Sequence, residues 1–414
     1  MDLQLLTRRR RIGILFICSL NLFMVGLDIT IVNVALPSIQ TDLDGSISGL
    51  QWTVGAYTVV MASLLMFSGS IADRFGRKRI LMLGVSIFTL GSLMCGLAPN
   101  IGFLIAARVL QAVGGSMMNP VAMSIITNTF TDPRERAQAI GVWGAVFGVS
   151  MALGPILGGT LVSFVDWRAI FWVNIPVGLI AILLTLRFIP ESKAPRPRRF
   201  DPVGQVLVLV MLASVTYGII EGPNLGWTSP VILSAFIASA LSLAGLIIYE
   251  PRRGEPLIDL RFFKSIPFSS SIVILIAAFA AFGGFLFLST LYLQEVRDLS
   301  PVHAGLVTVP MAMMLVAFSP ISGRMVGRRG PHGAGSRPLV SYGVGTRGVG
   351  DQCAPSKSLS GGLDYESGIV QEALGRGWAV AVSDMVGLGT AGTHTYEVGR
   401  DQGRALIDIA RAAE

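Results

Sequence analysis

Two ionisable side chains sit inside runs of apolar residues long enough to leave no room for charge. Asp28 lies in "GLDITIVNVALP" and Arg108 in "AARVLQAVGG". If those runs cross a bilayer, each charge costs about 2.5–3.5 kcal/mol to insert, so it faces a cavity or a partner. A carboxylate so placed can take up and release a proton. A guanidinium stays protonated and can tune that carboxylate or hold a substrate. The alternative is a structural ion pair, or residues at the membrane interface. Glu221, in "IIEGPNLGW", falls at the end of another apolar run and reads as interfacial. No other catalytic chemistry is expected. Cys18, Cys95 and Cys353 form no CxxC, so neither a disulfide framework nor a metal site is expected, and no cofactor is implied.

The elements that must carry these residues are hydrophobic. The 414 residues are 52% apolar and only 14% charged, with mean hydropathy +0.65. Globular chains carry roughly 25% charged residues. A spanning helix needs about 20 mostly apolar residues. Ten stretches qualify: 12–36, 50–71, 80–98, 102–127, 138–163, 168–189, 203–221, 230–249, 268–293 and 303–323. The first is too long for a cleavable signal peptide and lacks a small-residue cleavage site. Gly and Pro recur within these stretches, as membrane helices tolerate when neighbouring helices satisfy the freed carbonyls.

Charge orients the spans. With the N-terminus in the cytoplasm, 22 Lys/Arg fall on inside segments and only Arg168 and Arg297 on outside loops. Such a bias sets topology. Residues 1–330 hold 25 Lys/Arg against 16 Asp/Glu, and residues 331–414 hold 7 against 9. The basic excess therefore belongs to the membrane part, and nucleic acid is not an expected partner. The stretch "GSIADRFGRKR" (Gly69–Arg79) reads as a cytoplasmic loop after the second span. Gly69 and Gly76 would allow close packing and a sharp turn, and Asp73 would face the N-terminus of a nearby helix, where the dipole favours an anion. Arg74, Arg77, Lys78 and Arg79 would stay among the headgroups. In the fifth span, "GVSMALGPILGG" places Gly148, Gly154, Pro155, Gly158 and Gly159 on a close, bendable contact face.

Together these stretches resemble the major facilitator superfamily: "GSIADRFGRKR" its cytoplasmic loop motif, "RVLQAVGG" its helix-four motif with Arg108, Gln111 and Gly114, and "GPILGG" its antiporter motif. "LDITIVNVALP" and "DWRAIFWVNIPVG" are similar to the fourteen-helix drug:proton antiporter branch. The resemblance covers residues 8–330. It implies an all-α polytopic bundle in the plasma membrane that exports hydrophobic or cationic small molecules against proton influx, by rocking of two halves. On that resemblance Asp28, Arg108 and Gln111 are coupling and translocation positions. Gly69, Asp73, Arg74, Gly76 and Arg77 form a conformational gate, and Gly154, Pro155, Gly158 and Gly159 the antiporter helix. The domains expected are a six-helix half (1–190), two extra helices (191–266) and the first two helices of a second half (267–330). Four helices of the family pattern are not found, so impaired transport is expected. Oligomeric state is open.

Residues 331–414 change class. "RPLVSYGVGT" and "WAVAVSDMVGLG" read as strands, and "DYESGIVQEALGRG" and "EVGRDQGRALIDIARAAE" as amphipathic helices. The alternation suggests an incomplete parallel α/β fragment, placed in the cytoplasm by the same charge rule. It resembles part of the secretory lipase family of α/β-hydrolases. That family's serine would sit in G-x-S-x-G, which the chain lacks. Ser383 and Asp384 read as a strand end. His394 precedes the place of the nucleophile, whereas that fold's order is Ser, acid, His. The loop Gly345–Cys353 would have no oxyanion to stabilise, and "GVGTRGVG" lacks the phosphate-loop pattern. Two further readings stay open: a hybrid with neither activity, and a membrane-tethered lipase, disfavoured for want of the serine motif. Unneighboured parallel strands also imply a loosely ordered tail.

Overall fold

The computed structural model describes residues 7–194, 200–253, 260–308, 310 and 314, and two later strands, 339–342 and 379–382. The chain divides into two compact units, Met1–Arg324 and Met325–Glu414.

The first unit is helical: α1 (Arg8–Asp42), α2 (Ile47–Phe75), α3 (Arg77–Gly96), α4 (Ile101–Thr129) and α5 (Pro133–Phe164). They are followed by α6 (Ala169–Trp172), α7 (Asn174–Phe188), α8 (Pro202–Leu225), α9 (Pro230–Tyr249), α10 (Ile266–Leu291) and a helix over residues 301–308, here α11. Side-chain caps begin five of them: Ser46, Asn100, Asp132, Asp201 and Ser229 each accept a first-turn N–H. Such caps fill donors that a helix start leaves unpaired. Among the described residues nine spans, α6 and α7 together counting as one, are long and apolar enough to cross a membrane.

Two apolar clusters hold the first seven helices together. One gathers Ile14, Cys18, Val25, Leu81, Phe88, Ala112 and Ile126; the other gathers Leu27, Ile31, Leu36, Leu50, Cys95, Leu104 and Phe171. The changeover falls between Val25 and Leu27 on α1, Phe88 and Cys95 on α3, and Ala107 and Ala112 on α4. A polar layer fits in that gap. Close helix approach depends on glycine: a Cβ at Gly114 of α4 would overlap the Phe88 backbone of α3. On α9 and α10 many apolar side chains point outward, Leu241 being 67% and Ile274 68% exposed, as lipid-facing positions require. In the second unit, β1 (Leu339–Tyr342) and β2 (Ala379–Val382) pair in parallel, with Leu339 opposite Ala379.

The helices are longer than the apolar runs. α1 extends to Arg8 and Asp42, because polar residues continue a helix beyond the hydrocarbon as readily as apolar ones. The expected loop after α2 is a correction: Gly69, Asp73 and Arg74 are helical, α2 runs to Phe75, and only Gly76 separates it from α3. The sixth span breaks at Val173, giving α6 and α7. Of the tenth, residues 303–308, 310 and 314 are helical and the rest lies outside the described residues, as do Arg324, Arg328 and Arg329. The Gly345–Cys353 loop, the two tail helices, Ser383, Asp384 and His394 also lie outside them.

Candidate functional site

Asp28 and Arg108 meet in the polar layer between the two apolar clusters, 0% and 1% exposed. Arg108 Nη1 donates to Asp28 Oδ2 at 2.5 Å and to Gln111 Oε1 at 2.6 Å, and its Nε donates to the Thr53 carbonyl of α2 at 3.1 Å. The guanidinium lies 4.0 Å from the Tyr57 ring centroid and 5.9 Å from that of Phe171. An aromatic face attracts a desolvated cation. Arg108 and Gln111 are three apart on α4, so they share a face.

The other carboxylate oxygen, Oδ1, accepts from Gln111 Nε2 at 2.8 Å and Asn174 Nδ2 at 3.4 Å. Ser92 Oγ of α3 accepts from the same two amides, at 2.6 and 3.2 Å. The layer thus ties α1, α2, α3, α4 and the start of α7 to one ion pair. The charges are partnered and hydrogen-bonded, the condition for charge in a low-dielectric interior. The Tyr57 hydroxyl is buried there with no partner among the described residues.

Sequence reasoning brought Asp28, Arg108 and Gln111 together. It missed Ser92, Asn174, Thr53 and Tyr57. Asn174 carried a readable signal, an amide alone in "AIFWVNIPVGLIAILL", at the helix break. Thr53 contributes a backbone carbonyl, which no side-chain pattern could show.

The α2–α3 corner is built differently from the expectation. Asp73 does not face a helix N-terminus; it takes Arg77 Nε and Nη2 at 3.0 and 2.7 Å. The anion at the start of α3 is Glu191, which accepts from the backbone N–H of Lys78 and Arg79 at 3.1 and 3.3 Å. The linker after α7 is locked down from both sides: Arg77 N–H donates to the Ser192 carbonyl at 2.9 Å and Ala194 N–H to that of Asp73 at 3.0 Å. Gly76 has φ +119°, a region for glycine, and a Cβ there would sit 2.6 Å from the Glu191 carboxyl. Gly69 is not a close contact, since a Cβ there would meet Pro120 at 3.9 Å. Arg74 lies 5.1 Å from the Phe200 ring centroid.

On α5, a Cβ at Gly154 would overlap Thr30 of α1, and one at Gly158 would lie 3.0 Å from the Ile31 carbonyl. On the other side, Gly159 abuts the Pro301 carbonyl, and Gly305 of α11 abuts that of Pro155. The helix is therefore clasped between α1 and α11. Glu221 is not a free interfacial residue: it accepts from Ser48 Oγ and Trp52 Nε1 of α2, each at 2.7 Å, docking α8. Near the outer ends of the spans, as the charge rule orients them, Arg168 pairs with Asp42 at 2.8 Å and donates to the Ala98 carbonyl. Among the described residues no cluster of His, Cys, Asp or Glu could hold a metal ion.

Comparison with known proteins gives this geometry a family. Residues 18–349 match the Major Facilitator Superfamily. Over 322 residues the chain is 39% identical to the multidrug resistance protein Stp of Mycobacterium tuberculosis, covering 78% of this chain and 60% of Stp. It is 38% identical over 323 residues to the tetracenomycin C resistance and export protein of Streptomyces glaucescens, covering 78% and 59%. The chain thus spans about 60% of the length of these relatives. A solved structure of the peptide transporter POT superposes with a TM-score of 0.52 at 15% identity, covering 77% of this chain and 69% of that one. On the family match and these relatives, the chain, a multi-pass membrane protein, belongs to the Major Facilitator Superfamily.

Proposed function

We propose that this chain serves export of hydrophobic or cationic small molecules across the plasma membrane in exchange for protons, with its N-terminus cytoplasmic and no enzymatic step. The observation that carries this is the Asp28–Arg108 pair, which joins α1 to α4, is buried within the bundle and is bonded to α2 and α7. A pair sealed from water is costly compared with an apolar pair, which favours a role that an apolar pair could not fill. Protonating Asp28 would cancel one charge and leave Arg108 with Gln111 and the Thr53 carbonyl. Gln111, Asn174 and Ser92 would then be free to re-pair, passing the change to α3 and α7. The names of the similar export and resistance proteins support the same reading.

The other motif residues take roles by their contacts. Gly69, Asp73, Arg74, Gly76 and Arg77 would form a gate whose closed position Glu191 and Ser192 hold. Gly154, Pro155, Gly158 and Gly159 would let α5 slide against α1 and α11. For residues 336–414 the lipase-like reading rests on the sequence resemblance, and the described residues add only the parallel β1–β2 pair. No serine motif accompanies it, so no hydrolase activity is proposed.

The test is dye accumulation in an efflux-deficient bacterial host. Because impaired transport is expected, the 414-residue chain should lower accumulation only weakly while a proton gradient is present, and Asp28→Asn should return it to the empty-host level. Efflux that survives Asp28→Asn would remove Asp28 from coupling. No efflux by the unmodified chain would overturn transport by these residues alone.

A further inference from the structure

We propose that the groove between the start of α1 and the end of α7 binds the headgroup of an anionic phospholipid. The groove is a cavity of about 520 Å³ edged by Arg9, Arg10 and Arg187. Its floor is apolar, with Phe16 61% and Phe188 44% exposed. Gly13 opens a notch in that floor: a Cβ there would meet nothing within 4 Å. A charged rim above an apolar trough fits a molecule with an anionic head and an acyl chain, and it does not fit a free anion alone.

The charge balance points the same way. α1 begins with four consecutive arginines, Arg8–Arg11, has no acidic residue in its first turn and no side-chain cap. The helix dipole places partial positive charge at that end, so the arginines are repelled there unless an anion joins them. Arg11 has its anion, Glu135 at 2.5 Å. The side chains of Arg9, Arg10 and Arg187 have no hydrogen bond or ion pair among the described residues. Helix α3 shows how such a start is otherwise satisfied, its first-turn N–H groups donating to the Glu191 carboxylate. Basic pockets between membrane helices at the cytoplasmic face bind anionic headgroups. The choice of the cytoplasmic leaflet rests on the N-in orientation proposed above, but the headgroup selectivity does not.

The experiment is native mass spectrometry of the full chain released from mixed micelles of phosphatidylglycerol and phosphatidylcholine with identical acyl chains. The chain should retain phosphatidylglycerol with roughly tenfold preference. The Arg9→Gln/Arg10→Gln/Arg187→Gln variant should lose that preference. An Arg134→Gln/Lys193→Gln/Lys264→Gln variant removes three exposed charges from other inside segments and should keep it. Equal retention of both lipids by the unmodified chain would overturn the site and leave the groove to a segment of the chain itself. Equal loss in both variants would also overturn it, reducing the effect to the general basic face. Release of the lipid by excess inorganic phosphate would assign the groove to a free anion and overturn the lipid. None of these readouts requires transport or a known orientation, so they stand or fall apart from the proposed export.

Discussion

At the scale of single residues, the polar layer behaves as one unit because its members share atoms. Asp28 Oδ1 takes two amides, Ser92 Oγ takes the same two, and Arg108 Nη1 is shared between Asp28 and Gln111. Removing one charge leaves the other buried and uncompensated, at about 3–5 kcal/mol. Arg108→Leu alone should therefore lower the unfolding midpoint in detergent sharply. Asp28→Asn/Arg108→Leu should recover most of that loss, since no lone charge remains. If the double variant is as unstable as the single one, the desolvation of an unpaired Asp28 is not the cause. Asn174→Ala removes neutral amide bonds worth about 1 kcal/mol net, so its midpoint should fall only slightly. This hierarchy was partly legible from sequence. A charge in an apolar run announces itself, and so Asp28 and Arg108 stood out. Ser92 did not, because a serine can bond its own helix carbonyls and is unremarkable there.

At the scale of elements, glycine decides which helices can touch. Gly154 meets Thr30 with no room for a Cβ, whereas Gly141, on the same helix, has nothing within 4 Å. Gly154→Val should abolish accumulation of folded protein, and Gly141→Ala should match the unmodified chain or stabilise it by up to about 1 kcal/mol through helix propensity. The check is fluorescence-detected size exclusion of the two variants. Equal monodisperse peaks would show that α1 and α5 do not need the close approach. The α2–α3 corner yields a second contrast. Glu191 meets first-turn N–H groups and is partly exposed, 32% at its side chain. Glu191→Gln should cost about 0.3–1 kcal/mol and less in high salt, because a dipole interaction at an exposed helix end is screened. A midpoint shift that does not shrink with salt would point to lost geometry instead. The residues of this corner were visible in the sequence, but their pairing was not. Glu191 lies more than a hundred positions from Lys78, and only the return of the chain after α7 brings it to α3.

At the scale of the whole molecule, what the sequence made legible is what depends on solvent rather than on neighbours. Span number and approximate limits follow from the demand that lipid-facing residues be apolar, and eight spans in addition to the interrupted α6–α7 pair lie near the runs read from sequence. Helix ends, the break at Val173 and the docking of α8 on α2 through Glu221 depend on tertiary contacts, which no run of hydropathy encodes. The proposed orientation rests on the same kind of signal, since positive charge is retained on the cytoplasmic side regardless of packing. It gives a prediction with a sharp sign. Lys193 and Thr228 are both exposed, on consecutive loops either side of α8. Cys18 and Cys95 are buried, so a background carrying only Cys353→Ser should label weakly. In that background a membrane-impermeant maleimide should label Thr228→Cys in intact cells, and label Lys193→Cys only after permeabilisation. The opposite pattern would mean either an odd number of crossings before α8 or inversion of the whole bundle. Inversion would place the 22 basic residues outside, against the charge rule.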